Sequence, residues 1–190
     1  MMLAQTAQFF LDMLLEPYAV LLLFRFHLHW MRAPLRNPLG EFVCLLTNPL
    51  VLPLRRVIPA MGRIDTSSLL LAFGVETIYL TLLLLLRDKG LDGLLLPLWA
   101  LFKLFRFSIY LLIFALLVEA LISWTYPHAP FAPLLRSITG PFLRPFRRLV
   151  PPKGDLDFAF LILFFLCFII VRLPLEWAEV LILRAMGVIP

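Results

Sequence analysis

The sequence predicts an all-α membrane protein of about four transmembrane helices, arranged as two parallel repeats. Of the 190 residues, 62% are hydrophobic and 15% are charged, and the mean hydropathy is +0.97. Such a composition indicates a chain that lies mostly in lipid rather than a soluble domain. Two further observations support this prediction. One is an internal repeat, and the other is the concentration of basic residues in two connectors.

The repeat aligns without gaps at a constant offset of 92 residues, so that Asn48–Asp65 returns as Gly140–Asp157. Seven aligned positions are identical, and all are Pro, Gly or charged residues. They are Pro49/Pro141, Pro53/Pro145, Arg55/Arg147, Arg56/Arg148, Pro59/Pro151, Gly62/Gly154 and Asp65/Asp157. Hydrophobic composition does not explain such matches, so we divide the chain into a first repeat, residues 1–90, and a second repeat, residues 91–190.

The first crossing is predicted over residues 3–31, which are mostly apolar. Pro17 is expected to kink this helix, and lipid-embedded helices tolerate proline when neighbours satisfy the freed carbonyl. Charged residues interrupt the segment. An alternative therefore places residues 1–15 on the membrane surface and starts the crossing near Tyr18.

A connector with five prolines, residues 32–63, follows. Leu39–Thr47 is too short to span a bilayer and suits a helix that lies in the interface. Pro49, Pro53 and Pro59 are expected to forbid a continuous helix beyond it. Residues 66–86 then form the clearest transmembrane helix, with Asp65 as its N-cap.

The second repeat follows the same order. Residues 94–124 are too long for one perpendicular crossing, so Lys103 and Arg106 are expected to mark an interface, with the membrane core beginning near Phe107. Residues 126–155 form a second basic connector with seven prolines. The last crossing is predicted over residues 158–183, disturbed at Arg172 and Pro174.

Two crossings per repeat return the chain to its starting side, so the repeats have the same orientation. Each connector contains five of the seventeen Lys and Arg residues, and the positive-inside rule makes both connectors cytoplasmic and both termini external. Nucleic-acid binding is not expected, because it normally requires a soluble basic face.

The repeated pattern Asn-Pro-Leu…Pro-Leu-Arg-Arg-Val-Ile-Pro…Gly-x-Ile-Asp-x-Ser at residues 48–67 resembles the YggT family of small bacterial inner-membrane proteins, one unit of which is shared by plastid and cyanobacterial relatives. In that family a crossing that ends Arg-x-x-x-x-Trp or Ser-Trp precedes the motif, as do Arg25–Trp30 and Leu121–Trp124 here. The resemblance covers nearly the whole chain as two copies. It departs at Glu119, where an acid takes the place of Arg25.

The resemblance implies a multi-pass protein of the bacterial inner membrane with a link to osmotic stress and ion balance. Plastid relatives are linked to maturation of a haem-bearing cytochrome complex, and other links are to envelope or division processes. The family offers no established catalytic residues, so none is transferred to this chain.

The strongest candidates for a binding site are Arg55, Arg56, Arg147 and Arg148. They suit anionic lipid head groups or an acidic segment of a membrane-protein partner. The alternatives are that they enforce topology and snorkel at the interface, or that they pair with Asp65 and Asp157. We interpret four residues as structural caps and turns: Gly62, Asp65, Gly154 and Asp157.

Four charged residues lie within predicted crossings: Arg25, Glu76, Glu119 and Arg172. Arg25 and Glu119 each lie five residues before a tryptophan, roughly 7.5 Å inside the aromatic belt. We hypothesise that they pair across the repeat axis; the alternative is independent snorkelling. Glu76 lies near mid-bilayer, where an acid suggests an ion or proton path or a protonated carboxyl bonded to another helix. Repeat register makes Arg172 a candidate contact of Glu76.

His27 and His29 point about 200° apart on a helix, so they cannot chelate one ion together, and polar packing explains them better. The sequence contains no phosphate loop, no nucleophile with a placed base and no metal-ligand cluster, so neither an enzyme nor a cofactor is expected.

We therefore expect a non-enzymatic inner-membrane protein that supports osmotic or ion homeostasis or envelope assembly through lipid or partner binding. The alternative is a small ion channel or transporter subunit, and a weaker one is a cytochrome maturation factor. A membrane-protein partner and a homo-oligomer are further alternatives for its partners.

Overall fold

The computed structural model of the chain describes residues 2–60, 62, 64–87, 95–126, 129–150 and 157–188. This part of the chain is helical and contains seven α-helices. They are α1 (Met2–Trp30), α2 (Pro38–Val57), α3 (Thr66–Leu86), α4 (Leu95–Thr125), α5 (Ala132–Leu149), α6 (Phe158–Ile170) and α7 (Glu176–Ala185).

Four helical segments in the described ranges are long and apolar enough to cross a membrane, as the sequence predicts. Three of them lie in α1, α3 and α4, and the fourth combines α6 and α7 over Phe158–Ala185. Helix α1 continues through Pro17 without a break, so its first 15 residues extend the crossing helix and do not form a separate surface element.

A five-residue π-helical turn, Val171–Leu175, joins α6 to α7. Pro174 lies inside it, and a proline cannot donate the backbone hydrogen bond of a regular α-helix. The predicted disturbance at Arg172 and Pro174 is therefore confirmed as a local change of helix type within one crossing.

The contacts between helices give their directions. Glu16 of α1 contacts Lys103 of α4, and Leu28 shares a buried cluster with Ala115, so α1 and α4 run parallel. Helix α3 runs antiparallel to α1, because Asp12 contacts Tyr79 whereas Arg25 contacts Asp65. The first crossings of the two repeats thus point the same way.

Helices α2 and α5 correct one prediction. The paired prolines do not end these helices, and Pro49 and Pro53 lie inside α2 as Pro141 and Pro145 lie inside α5. All four prolines are exposed, so the carbonyls they leave without a donor lie on the outer face of the helix.

The opposite face of each of these two helices is buried at a spacing of four residues. The residues of this stripe are Val43, Thr47 and Val51 in α2, and Leu135, Thr139 and Leu143 in α5. Each residue of the second set lies 92 positions after its counterpart. Packing of this stripe against the crossings maintains a helix that local propensity alone would end.

Candidate functional site

The buried aspartate at the start of α3 organises the basic end of the first repeat. Asp65 is only 1% exposed, and its Oδ2 accepts hydrogen bonds from Arg55 Nη2 and from Ser68 Oγ, each at 2.7 Å. Arg25 Nε lies 3.6 Å from the same oxygen. Three helices, α1, α2 and α3, therefore meet at one carboxylate.

Burial alone would raise the pKa of Asp65. The hydrogen bond from Ser68 and the charge of Arg55 outweigh burial and hold the pKa below its usual value. Asp65 is thus a carboxylate at neutral pH, and its charge is matched by the cations around it.

The capping predictions have different outcomes in the two repeats. Asp65 occupies the N-cap position of α3, but its side chain makes no capping hydrogen bond, and its Oδ2 accepts from Arg55 and Ser68 instead. Asp157 does cap α6 by accepting from the backbone N–H of Phe160 at 3.3 Å. Gly62 has a φ of +63°, which fits the expected tight turn. Gly154 lies outside the described residues.

In each Arg-Arg pair, the first arginine binds an aspartate and the second does not. Arg55 binds Asp65, and Arg147 binds Asp157 through Nε at 2.9 Å and Nη2 at 2.7 Å. The alternative in which the arginines pair with Asp65 and Asp157 therefore holds for one arginine of each pair. Arg56 and Arg148 are exposed and form no ion pair or hydrogen bond with the described residues.

The expected pair between Arg25 and Glu119 is absent from the described residues, which include both. Arg25 Nη1 donates to Thr47 Oγ1 at 2.6 Å and to Asn48 Oδ1 at 2.8 Å. Glu119 instead accepts a hydrogen bond from Thr139. Each charge is satisfied inside its own repeat, so the hypothesis of pairing across the repeat axis is wrong.

A second charged cluster lies in the middle of the bundle and joins α1, α3 and α4. Lys103 Nζ lies 2.8 Å from Glu76 Oε1 and 2.5 Å from Glu16 Oε1. Glu76 is fully buried and Lys103 is 5% exposed. Within the same cluster Tyr79 donates to Asp12 at 2.8 Å.

This cluster corrects two expectations. Lys103 does not mark an interface, because it lies inside α4 and faces two carboxylates. Glu76 contacts Lys103 rather than Arg172, which pairs with Glu176 in the next turn of its own helix at 3.0 Å. The signal for Lys103 was the apolar run 94–102 that precedes it, since a lysine after nine such residues lies well inside a span.

Sequence reasoning also missed a third group, on α4 and α7. Glu179 accepts hydrogen bonds from Trp99 Nε1 at 2.9 Å and from Arg106. The π-helical turn precedes Glu179 and changes its angular position, so no fixed repeat register places it opposite Arg106.

Apolar packing separates Asp65 and its partners Arg25, Arg55 and Ser68 from the group formed by Glu16, Glu76 and Lys103. Leu22, Leu23, Ala72 and Leu104 are buried in one cluster that lies between them along α1 and α3. Among the described residues, no group of three His, Cys, Asp or Glu side chains could hold a metal ion. His27 Nδ1 lies 2.7 Å from the Leu23 carbonyl oxygen, a local hydrogen bond.

Two parallel helical units, each with an amphipathic helix joined by an Arg–Asp pair to the next crossing, define a class of small duplicated membrane proteins. The family model described as CCB3/YggT matches residues 4–86 and 98–178 of the chain, which makes two tandem units. The chain belongs to the CCB3/YggT family.

The relatives support the same assignment over most of the chain. It is 39% identical over 171 residues to the protein YggT of Escherichia coli strain K12, covering 87% of each chain. It is 36% identical over 154 residues to the protein PA0392 of Pseudomonas aeruginosa, covering 77% of this chain and 78% of the relative. No solved structure matches the chain significantly.

Proposed function

We propose that this chain is a non-enzymatic protein of the bacterial inner membrane that binds anionic lipid head groups through Arg56 and Arg148 and thereby supports osmotic homeostasis or envelope assembly. The observation that carries the proposal is the division within each Arg-Arg pair. One arginine is used to fix the fold, and the next is exposed without a described partner.

The position of these arginines suits a head-group contact. Each lies in the last turn of the amphipathic helix that precedes the second crossing of its repeat, so both belong to the same face of the bundle. A Lys or Arg near an anionic surface contributes about 1 kcal/mol, and two equivalent residues bias the protein toward anionic lipid. The positive-inside rule makes this face cytoplasmic.

The pairing of charges inside the bundle favours a binding or assembly role over conduction. Arg25, Glu119, Glu76 and Arg172 each have a partner in their own surroundings. The buried apolar cluster between Asp65 and Glu76 interrupts the polar groups along the bundle. A path that joined Glu76 to both faces would instead require polar groups in this layer.

The test is a lipid-preference measurement on purified protein in vesicles that contain phosphatidylglycerol and phosphatidylcholine with identical chains. Arg56→Gln and Arg148→Gln together should lower the preference for phosphatidylglycerol on the order of thirtyfold, since each arginine contributes about 1 kcal/mol. Arg87→Gln is the matched control, because Arg87 is exposed at the opposite end of α3. An unchanged preference in the double variant would refute the proposal.

Conduction is the second candidate, and the Glu76–Lys103–Glu16 cluster is the observation that favours it. Two carboxylates share one ammonium group, so the cluster has one excess negative charge unless it holds a proton. Proton or cation flux into proteoliposomes, measured for the native chain and for Glu76→Gln, tests this function. Flux that Glu76→Gln abolishes would support conduction, and no flux above that of empty vesicles would exclude it.

A further inference from the structure

An open apolar groove lies on the side of the bundle, with most of its lining residues in the second repeat. It lies between α1, α4, α5 and α6 and has a volume of about 690 Å³, which is within the usual size of a ligand pocket. Phe105 and Ile109 of α4, Phe142 and Pro145 of α5 and Leu166 of α6 are among its lining residues. We refer to it as the lateral groove.

The lining offers almost nothing to a polar ligand. Among the described lining residues, the side chains with a polar atom are His27, Trp30, Ser108 and Cys167. The Ser108 hydroxyl donates to the Leu104 carbonyl at 2.9 Å, and His27 Nδ1 bonds to the Leu23 carbonyl. An occupant that gains free energy in this groove must therefore do so by placing a hydrocarbon chain against the apolar wall.

Two arginines flank the groove on α5. Arg144 and Arg148 lie three residues after Pro141 and Pro145, both of which line the groove, so each arginine is the surface neighbour of a lining residue. Both arginines are exposed and bind no described residue. Like charges four residues apart on a helix repel each other, and an anion held by both would remove this repulsion.

The first repeat has only part of this arrangement. The position equivalent to Arg144 at the offset of 92 is Leu52, so Arg56 has no second arginine one turn before it. In the first repeat α1 and α3 also pack closely, whereas α4 and α6 have fewer contacts and leave the groove open. The arginine pair thus lies in the repeat that provides most of the groove's lining residues.

We propose that the lateral groove holds one acyl chain of an anionic phospholipid whose phosphate is bound by Arg144 and Arg148. This inference rests on the proposed lipid-binding function and names its tighter site. A nearly wholly apolar wall with a pair of cations at the head-group end is complementary to a chain joined to a phosphate.

The test is retention of phosphatidylglycerol by purified protein in detergent, measured by native mass spectrometry against phosphatidylcholine with identical chains. The native chain should retain one phosphatidylglycerol molecule per protein more strongly than phosphatidylcholine. Leu166→Trp, which fills the groove from a half-exposed position, and Arg144→Leu, which introduces the first-repeat residue, should each lower retention at least fivefold.

The matched control is Ile169→Trp, which adds the same bulk to an exposed position of α6 that is not among the groove's lining residues. It should retain phosphatidylglycerol as the native chain does. Equal retention of both lipids, or native retention by folded Leu166→Trp, would overturn the groove site.

The two proposals fail in distinguishable ways. Loss of lipid preference in Arg56→Gln/Arg148→Gln with native retention in Leu166→Trp would leave the proposed function intact and remove the groove site. Lower retention in Leu166→Trp with no effect of Arg144→Leu would show that the chain binds without its phosphate, which also contradicts the inference.

Discussion

Thr47 and Thr139 occupy equivalent positions in the two repeats, but Thr47 contacts a cation, Arg25, and Thr139 contacts an anion, Glu119. Thr47 Oγ1 accepts from Arg25, whereas Thr139 Oγ1 donates to Glu119. A hydroxyl is both donor and acceptor, so the same residue serves either charge. The neighbouring position changes as well, from Asn48, which accepts from Arg25, to Gly140, which has no side chain.

This relationship predicts that exchanging the two charges will damage the protein. Arg25→Glu places a second carboxylate near Asp65, which is 1% exposed, and removes a cation 3.6 Å from it. Breaking one partner of a buried pair costs about 3–5 kcal/mol. The double variant Arg25→Glu/Glu119→Arg should accumulate poorly in membranes and unfold at a lower temperature in detergent.

Glu119→Gln is the control for this exchange, because an amide oxygen still accepts from Thr139. It should resemble the native chain in accumulation and unfolding temperature. A double variant as stable as the native chain would mean that Arg25 and Glu119 interact directly, in contradiction to the contacts described above.

The Asp65 carboxylate predicts a specific pH dependence. Because its pKa is held below the usual value, the stability it contributes is present at neutral pH and is lost as pH falls through the lowered pKa. Asp65→Asn should therefore unfold well below the native temperature at pH 7, and the difference should shrink below about pH 4. Thermal unfolding in detergent at both pH values measures this effect, and a difference that grows on acidification would contradict it.

The two Arg–Asp pairs should differ in what they contribute. Arg55 binds an aspartate that is 1% exposed, whereas the side chains of Arg147 and Asp157 are 43% and 26% exposed. Exposed pairs contribute about 0–1 kcal/mol, and breaking a buried pair costs several times more. Chemical unfolding of Arg55→Gln and Arg147→Gln should show the larger loss for Arg55→Gln, and an equal loss would be evidence against this difference.

The contact between Lys103 and Glu76 predicts that a second substitution can restore stability lost by the first. Lys103→Met leaves Glu76 buried without a cation 2.8 Å away and should destabilise the protein by about 3 kcal/mol or more. Adding Glu76→Gln removes the unpaired charge and should recover most of that stability, so the two changes are strongly non-additive. A double-mutant cycle by unfolding in detergent measures the coupling, and additive effects would disprove it.

The crossings were predictable because lipid selects long apolar segments, and the two repeats because their Pro, Gly and charged residues match at one offset. Pairing of an arginine in the first Arg-Arg pair with Asp65 was one of the alternatives that the sequence offered, and the structure shows that Arg55 makes this contact. The prediction that prolines would end α2 was wrong, because it considered only the backbone and not the packing of the helix against its neighbours. Val43, Thr47 and Val51 bury one face of α2, and the prolines lie on the other.

The contacts of Lys103 and Glu179 could not be derived in the same way. They join helices far apart in sequence, and the rotation of each helix about its axis depends on packing that hydropathy does not encode. Arg25 and Glu119 have matching positions, which suggested a mutual pair. Their partners instead lie on the neighbouring amphipathic helices, at Thr47 and Thr139.

Because of the π-helical turn at Val171–Leu175, the side chains after it do not point in the same directions as the equivalent side chains of α3 in the first repeat. A π turn holds one residue more than an α turn, and one residue corresponds to about 100° of rotation around a helix axis. The side chains of α7 are therefore rotated about the helix axis, and this rotation changes the direction in which Glu179 points. Deleting one residue from this turn should turn Glu179 away from α4 and break its contacts with Trp99 and Arg106.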